Sequence, residues 1–301
     1  MLVFPKKYQN ITSTNMAMDN KDFAVFILTH GRPDNVLTLK TLAKCGYTGK
    51  IFIIIDDEDE TADRYIENFG DKVVVFSKEK IAQTFDQADN FKDRRSIVYA
   101  RNASFEIAKD LGITYFMQLD DDYTSFSFSA DEDYNYITKR NKIKNLDGIL
   151  DSLLEFYKVI PAKTIAMAQG GDFIGGECCS VFKKKLARKA MNSFICSTKR
   201  PFKFVGRINE DVNTYTWYQS LGNIFFTVAA LRLNQVQTQL SKGGMSDIYL
   251  DNGTYIKSFY TVIFSPSSVK VALMGHKDMR LHHRVRWDNA VPKIIDEKYK
   301  K

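Results

Sequence analysis

The sequence predicts an α/β fold with a mostly parallel central sheet and helices on both faces. Three observations lead there. Apolar runs alternate with helix-like stretches through the first 122 residues. The runs are continuous rather than alternating with polar residues, as strands buried on both faces require. The runs also end in polar or acidic groups, "THGR", "DDED" and "DDD". In such sheets ligands bind beyond the carboxyl ends of the strands, so these three stretches are the first functional candidates.

Residues 1–22 read as an N-terminal extension, without the basic-then-apolar order of a signal peptide. "FAVFILT" (Phe23–Thr29) is the first strand. Pro33 or Asp34 opens a helix through about Cys45, because proline suits a first helical turn. Lys50–Ile55 is the second strand, Thr61–Phe69 a helix and Lys72–Phe76 the third strand. Lys92–Leu111 reads as a long helix stopped by Gly112, and Ile113–Leu119 as the fourth strand. After Asp122 the period weakens, and the polar, aromatic stretch 123–142 predicts a loop or short hairpin. A helix over Leu146–Val159, a strand over Thr164–Gln169 and a short strand "FKFVG" (Phe202–Gly206) follow, with a helix-like run after Asp211. "GGDFIGGECC" is a glycine-rich turn that lacks both the Walker lysine and the Rossmann glycine spacing. No repeat or linker interrupts the chain, which predicts one continuous fold.

At 301 residues, 44% hydrophobic and 26% charged, the composition is that of an ordinary globular protein. No apolar run reaches the roughly 18 residues of a membrane span, so no membrane partner is expected. Cys45, Cys178, Cys179 and Cys196 show neither a CxxC pair nor zinc-ligand spacing, which predicts free thiols in a reducing cytoplasm. The net charge of +7 is unevenly spread. Residues 1–150 hold 20 Lys and Arg against 24 Asp and Glu, leaving 23 against 12 for residues 151–301. A polyanion would be drawn to the second half, although a solvated basic surface explains the same bias.

The acids suggest the chemistry. Asp120 and Asp122, with Asp121 between them, form an Asp-x-Asp at the end of a buried strand. Neighbouring carboxylates repel, and Mg²⁺ or Mn²⁺ held against a diphosphate would relieve them. The same stretch could instead be a polar turn that caps a helix. In "NED", Glu210 and Asp211 stand before a helical run, as cap or as a general base for an acceptor hydroxyl. His282 and His283 hold half of the four histidines and could add a third metal ligand.

Together and in this order, these pieces resemble a GT-A glycosyltransferase, the fold of metal-dependent nucleotide-sugar transferases. The resemblance implies that "ILTHGR", with Thr29, Gly31 and Arg32, helps hold the nucleotide, and that Asp56 or Asp57 contacts its base or ribose. "YARNA" (Tyr99–Ala103) resembles the helix motif before the Asp-x-Asp, which places Arg101 and the nearby Arg95 with Asp120 and Asp121 at the nucleotide sugar. It implies metal ligation by Asp122 and Asp120 with His282 or His283, and Asp211 or Glu210 as base. Residues 23–122 become the nucleotide-sugar half, 123–292 the acceptor and catalytic half, and 293–301 a basic tail.

"YARNASFEIAKDLGITYFMQLDDDY", "RPFKFVGRINEDVNTYT" and "QTQLSKGGMSDIYLDNGTYIKSFY" further resemble the TET-associated glycosyltransferases of tailed bacteriophages, over about Phe23 to Pro292. That implies transfer from a nucleotide sugar, UDP-linked, to a hydroxymethylated pyrimidine such as 5-hydroxymethylcytosine in phage DNA, inside the host cytoplasm, shielding the DNA from host nucleases. One well-placed base suffices for inversion, so the transfer is expected to invert. Lys183, Lys184, Lys185, Arg188 and Lys189, with Arg284 and Arg286, would then meet the duplex phosphates. Rival readings are a polysaccharide acceptor, a metal-dependent nucleotidyltransferase or nuclease, and a DNA-binding module on a degenerate enzyme fold.

Overall fold

β1 (Phe23–Leu28) is buried along its whole length, and its alternate side chains enter two different cores. Phe23, Val25 and Ile27 belong to one apolar cluster, and Ala24, Phe26 and Leu28 to the other. A strand that feeds two cores must lie inside a sheet covered on both faces. The computed structural model describes residues 22–183, 189–236, 245–253, 255–274 and 279–292.

From β1 the chain continues through α1 (Leu37–Lys44), β2 (Lys50–Asp56), α2 (Ala62–Phe69), β3 (Val73–Phe76) and α3 (Lys78–Ala82). Next come α4 (Val98–Asp110), β4 (Tyr115–Asp120), β5 (Tyr123–Ala130), β6 (Tyr136–Lys142), α5 (Leu146–Val159) and β7 (Ala162–Gln169). The rest comprises α6 (Ser180–Lys183), β8 (Ser193–Ser197), α7 (Glu210–Ser220), β9 (Ile224–Gln235), α8 (Met245–Asn252) and α9 (Ile256–Phe264). β10 (Val269–Met274) and β11 (Arg280–Val285), paired antiparallel, are the last elements among the described residues.

One nine-stranded sheet runs in the order β3-β2-β1-β4-β8-β7-β9-β5-β6. β1–β4, β6, β7 and β9 point one way, and β5 and β8 oppose them. Leu42, Tyr65 and Leu150 of α1, α2 and α5 pack on one face, and Tyr99, Ile107 and Tyr215 of α4 and α7 on the other. This is the α/β architecture the apolar runs predict. The carboxyl ends of β1, β2, β4 and β7 face the same side, where the site lies.

Several predicted elements are displaced, each for a local reason. α1 starts at Leu37 because Arg32–Asn35 closes a turn first. α4 starts at Val98 rather than Lys92, since Arg94, Arg95 and Ser96 are held outside a helix by Glu58, Asp93 with Asp251, and the Arg207 carbonyl. Of the loop or short hairpin expected over 123–142, the structure has the hairpin: β5 and β6 pair antiparallel, and β5 joins them to the main sheet through β9. "FKFVG" makes no strand. Its Phe204 and Val205 N–H groups donate to Asn102 Oδ1 and Thr214 Oγ1 instead of a neighbouring strand. Gly206, at φ +79°, faces Asn213 so closely that a Cβ would lie 2.3 Å from its side chain. α6 ends at Lys183, residues 184–188 lie outside the described residues, and Ser193 begins β8. Among the described residues no helix is long and apolar enough to cross a membrane.

Candidate active site

The three aspartates after β4 part company as soon as their backbones are placed. α1 fixes that backbone: Thr38 Oγ1 donates to the Asp120 carbonyl at 2.6 Å, and Thr41 Oγ1 to the Tyr123 carbonyl at 2.8 Å. Each carboxylate then points to a different environment.

Asp120 Oδ1 accepts from Arg101 Nη2 at 2.9 Å. The same guanidinium donates through Nε to Glu210 Oε1 at 2.9 Å. Arg101 is 1% exposed and lies over the rings of Phe194 and Phe204, so one buried cation joins a strand-end acid to the first turn of α7. Burial pushes the Asp120 carboxyl up to about 7, against the pull of Arg101 and with the repulsion of Asp122, Glu210 and Asp121.

Asp121 turns to β1. A relay runs from the Arg32 N–H to the Tyr65 hydroxyl, on to Thr29 Oγ1, and from there to Asp121 Oδ2 at 2.6 Å. Arg32 Nη1 reaches Asp121 Oδ1 at 3.1 Å. Gly31 makes the turn possible at φ +70°, and its N–H donates to Asp59 Oδ2.

Asp122 makes no ion pair among the described residues, although Arg32 attracts it from a distance. Its Oδ1 is buried without a hydrogen bond among the described residues. Burial and the neighbouring Asp121 push its carboxyl up to about 6. A buried carboxylate oxygen with no donor is costly unless a cation serves it.

All three aspartates line one cavity of about 570 Å³, with Thr29, Gly31, Arg32, Asp56, Arg95, Arg101, Glu210 and Asp211. Asp211 sits in the first turn of α7, where the helix N-terminus favours negative charge, and Oδ1 accepts from the Val212 N–H at 2.7 Å. Burial, reinforced by Glu210, pushes its carboxyl up to about 7. The preceding Asn209 holds a left-handed backbone at φ +61°, a conformation asparagine tolerates better than most. This turn aims both acids at the cavity.

At the far end, Asp56 lines the cavity but is engaged through both oxygens. Oδ2 meets His30 Nδ1 at 2.9 Å and Oδ1 meets the buried Lys78 Nζ at 2.9 Å. Asp57 is exposed, accepts from the Lys78 N–H, and does not line the cavity. Arg95 lines it while paired with Asp93 and Asp251.

Neither His282 nor His283 lines the cavity. His282 Nδ1 lies 2.8 Å from the His283 carbonyl, and His283 Nδ1 is 3.5 Å from Asn209 Nδ2. Burial and the adjacent His282 push His283 down to about 3. Among the described residues, no group of three or more His, Cys, Asp or Glu could hold a metal ion. Lys184, Lys185 and Arg188 lie outside the described residues, as does the side chain of Lys183. Lys189 pairs with Asp172, and Arg284 and Arg286 are exposed.

Sequence reasoning missed Lys257, Lys78 and His30 on the cavity wall. Lys257 lies over the Tyr249 ring, and burial pushes its ammonium pKa down, aided by Arg280 and opposed by Asp211. A lone lysine within "YIKSFYTVIF" was the available signal. Arg32, Lys78, Arg95 and Arg101 each pair with a carboxylate, whereas Lys257 makes no ion pair among the described residues.

A family model described as TET-Associated Glycosyltransferase matches residues 23–244. No curated protein matches the chain. Among solved structures, the chain is similar to glucosyl-3-phosphoglycerate synthase from Mycobacterium tuberculosis in complex with Mg²⁺ and UDP, at 10% identity. That match covers 88% of each chain with a TM-score of 0.43. It is also similar to S. aureus TarS 1–349 in complex with UDP-GlcNAc, at 13% identity, covering 82% of this chain and 74% of that one with a TM-score of 0.41.

Proposed function

The chain belongs to the TET-associated glycosyltransferase family, and on that premise we propose that this glycosyltransferase moves a sugar from a UDP-sugar to the hydroxymethyl group of a modified pyrimidine, such as 5-hydroxymethylcytosine, in DNA. The observation that carries the reading is one cavity holding an unpartnered buried carboxylate oxygen, on Asp122, and a second carboxylate, Asp211, at a helix N-terminus.

Asp122 and Asp120 would hold Mg²⁺ or Mn²⁺. Two carboxylates completed by substrate phosphates are the usual protein share for Mg²⁺, and among the described residues no group of three or more His, Cys, Asp or Glu could hold a metal alone. When bound, the ion supplies Lewis-acid stabilisation of charge on the departing diphosphate. Arg101 sets the direction of Asp120 and Glu210. Asp121, tied to Thr29 and Arg32, braces the turn after β1 that faces the nucleotide. Asp211 accepts the proton of the hydroxymethyl group as its oxygen attacks the anomeric carbon. The diphosphate leaves from the opposite face, and the configuration inverts. Arg284 and Arg286, with Lys183–Lys189, meet DNA phosphates.

Incubating the protein with hydroxymethylated duplex, Mn²⁺ and a panel of nucleotide sugars, then digesting to nucleosides for mass spectrometry, tests the reading. A hexose or pentose added to the hydroxymethyl nucleoside is the expected outcome. Strand cleavage or extension without sugar would assign a nuclease or nucleotidyltransferase. Transfer confined to a polysaccharide would remove DNA as acceptor.

A further inference from the structure

β10 and β11 form a two-stranded antiparallel ribbon outside the main sheet. It lies beyond residues 23–244, the stretch the family model matches. Its root is anchored to the candidate site: Val269 is buried, and Trp287, just past β11, stacks on Tyr215 of α7 with ring centroids 5.8 Å apart. α7 is the helix whose first turn carries Glu210 and Asp211.

The pairing register sorts the ribbon's side chains. Lys270 stands opposite Arg284, and Met274 opposite Arg280, all on one face, while Val269, Val271 and Val285 occupy the other. Lys270, Arg280 and Arg284 are exposed, and among the described residues none has a carboxylate within ion-pair distance. Like charges directly opposite each other destabilise a strand pair. The ribbon therefore maintains a repulsive cationic face that a polyanion would relieve. At the end away from the root, Leu273 and Met279 are 63% and 68% exposed.

We propose that this ribbon is a duplex-binding element, with Lys270, Arg280 and Arg284 on the DNA phosphates and the apolar end in a groove beside the target base. A two-stranded ribbon fits the major groove, where a hydroxymethyl group on C5 also projects. Apolar side chains that wedge against base steps are a recurrent partner of such cationic faces. The choice of DNA rests on the acceptor proposed above. An anionic membrane would suit the same side chains less well, because the ribbon is rooted on the helix that bears the candidate base, where the acceptor must arrive.

The test is binding, which needs no turnover. Fluorescence anisotropy of a hydroxymethylated duplex at several salt concentrations should show the Lys270→Gln/Arg280→Gln/Arg284→Gln variant binding at least about tenfold more weakly. Its log K against log salt slope should be shallower by about 0.9 per lost phosphate contact. Lys270→Glu guards against misfolding, because it creates an opposite-charge pair with Arg284. It should raise the melting temperature while lowering DNA affinity, whereas a merely structural role predicts the first change without the second. An unchanged salt slope in the triple variant overturns the inference. So does loss of binding to phosphatidylserine–phosphatidylcholine vesicles while duplex binding persists. A wild-type protein that binds duplex through the ribbon yet transfers no sugar sinks the function reading and leaves the ribbon standing.

Discussion

Asp211 combines two properties that conflict. As the proposed general base it must act as the carboxylate, yet burial and Glu210 push this carboxyl from 3.8 up to about 7. Turnover with acceptor should therefore rise about tenfold per pH unit below 7 and level off above it. Between pH 4 and 7 the folded chain holds a proton here that the unfolded chain has lost. The group's contribution to stability thus falls as pH rises through that window and is lowest above 7. Asp211→Asn keeps an acceptor for the Val212 N–H and removes the charge. It should lower turnover by at least about 10²-fold, leave UDP affinity unchanged, and melt higher than wild type at pH 8, with the gain shrinking toward pH 4. A parallel loss of UDP affinity would move Asp211 to the nucleotide. The aspartates were legible in the sequence because each abuts a strand end or a helix start. Lys78 and Lys257 were not, because only the fold brings α3 and α9 to the cavity.

Three elements meet at Arg101. It leaves α4, reaches the end of β4 through Asp120 and the start of α7 through Glu210. Removing one partner of a buried charge group strands the others, at a cost of about 3–5 kcal/mol. Arg101→Met should destabilise the chain by that order in urea unfolding at pH 8. Arg101→Lys should restore little, since one ammonium cannot reproduce the forked contact to two carboxylates. A loss under about 1 kcal/mol would mean that solvent reaches these acids and that the link is dispensable. Legibility at this scale followed burial. β1, β2 and β4 announce themselves as continuous apolar runs, whereas β5 and β6 intersperse Ser, Thr and Lys with aromatics and read only as a loop or short hairpin. β6 pairs with β5 alone, and β5 reaches the main sheet through β9, a partner about 100 residues away that no local pattern reveals.

Across the whole molecule, the cavity is closed only when distant parts of the chain meet: strand ends from β1, β2 and β4 supply one wall, and α7, α8 and α9 the other. On the proposed function Asp120 and Asp122 of the first wall hold the metal, and among the described residues no group of three or more His, Cys, Asp or Glu could hold it alone. Ion and nucleotide should then bind as a pair, each completing the other's partners. Mn²⁺ alone should raise the melting temperature little, and UDP alone little. Together they should stabilise the fold by about 2.7 kcal/mol when UDP stands at a hundredfold excess over its Kd. EDTA should cancel the UDP effect. Asp122→Asn, which keeps the side-chain volume, should leave a folded protein whose UDP binding no longer responds to Mn²⁺. Should Mn²⁺ by itself stabilise as strongly as Mn²⁺ with UDP, the chain must own a complete ligand set. The histidines of β11 would then have to swing toward Asp122, and His283→Ala, not Asp122→Asn alone, would abolish the effect.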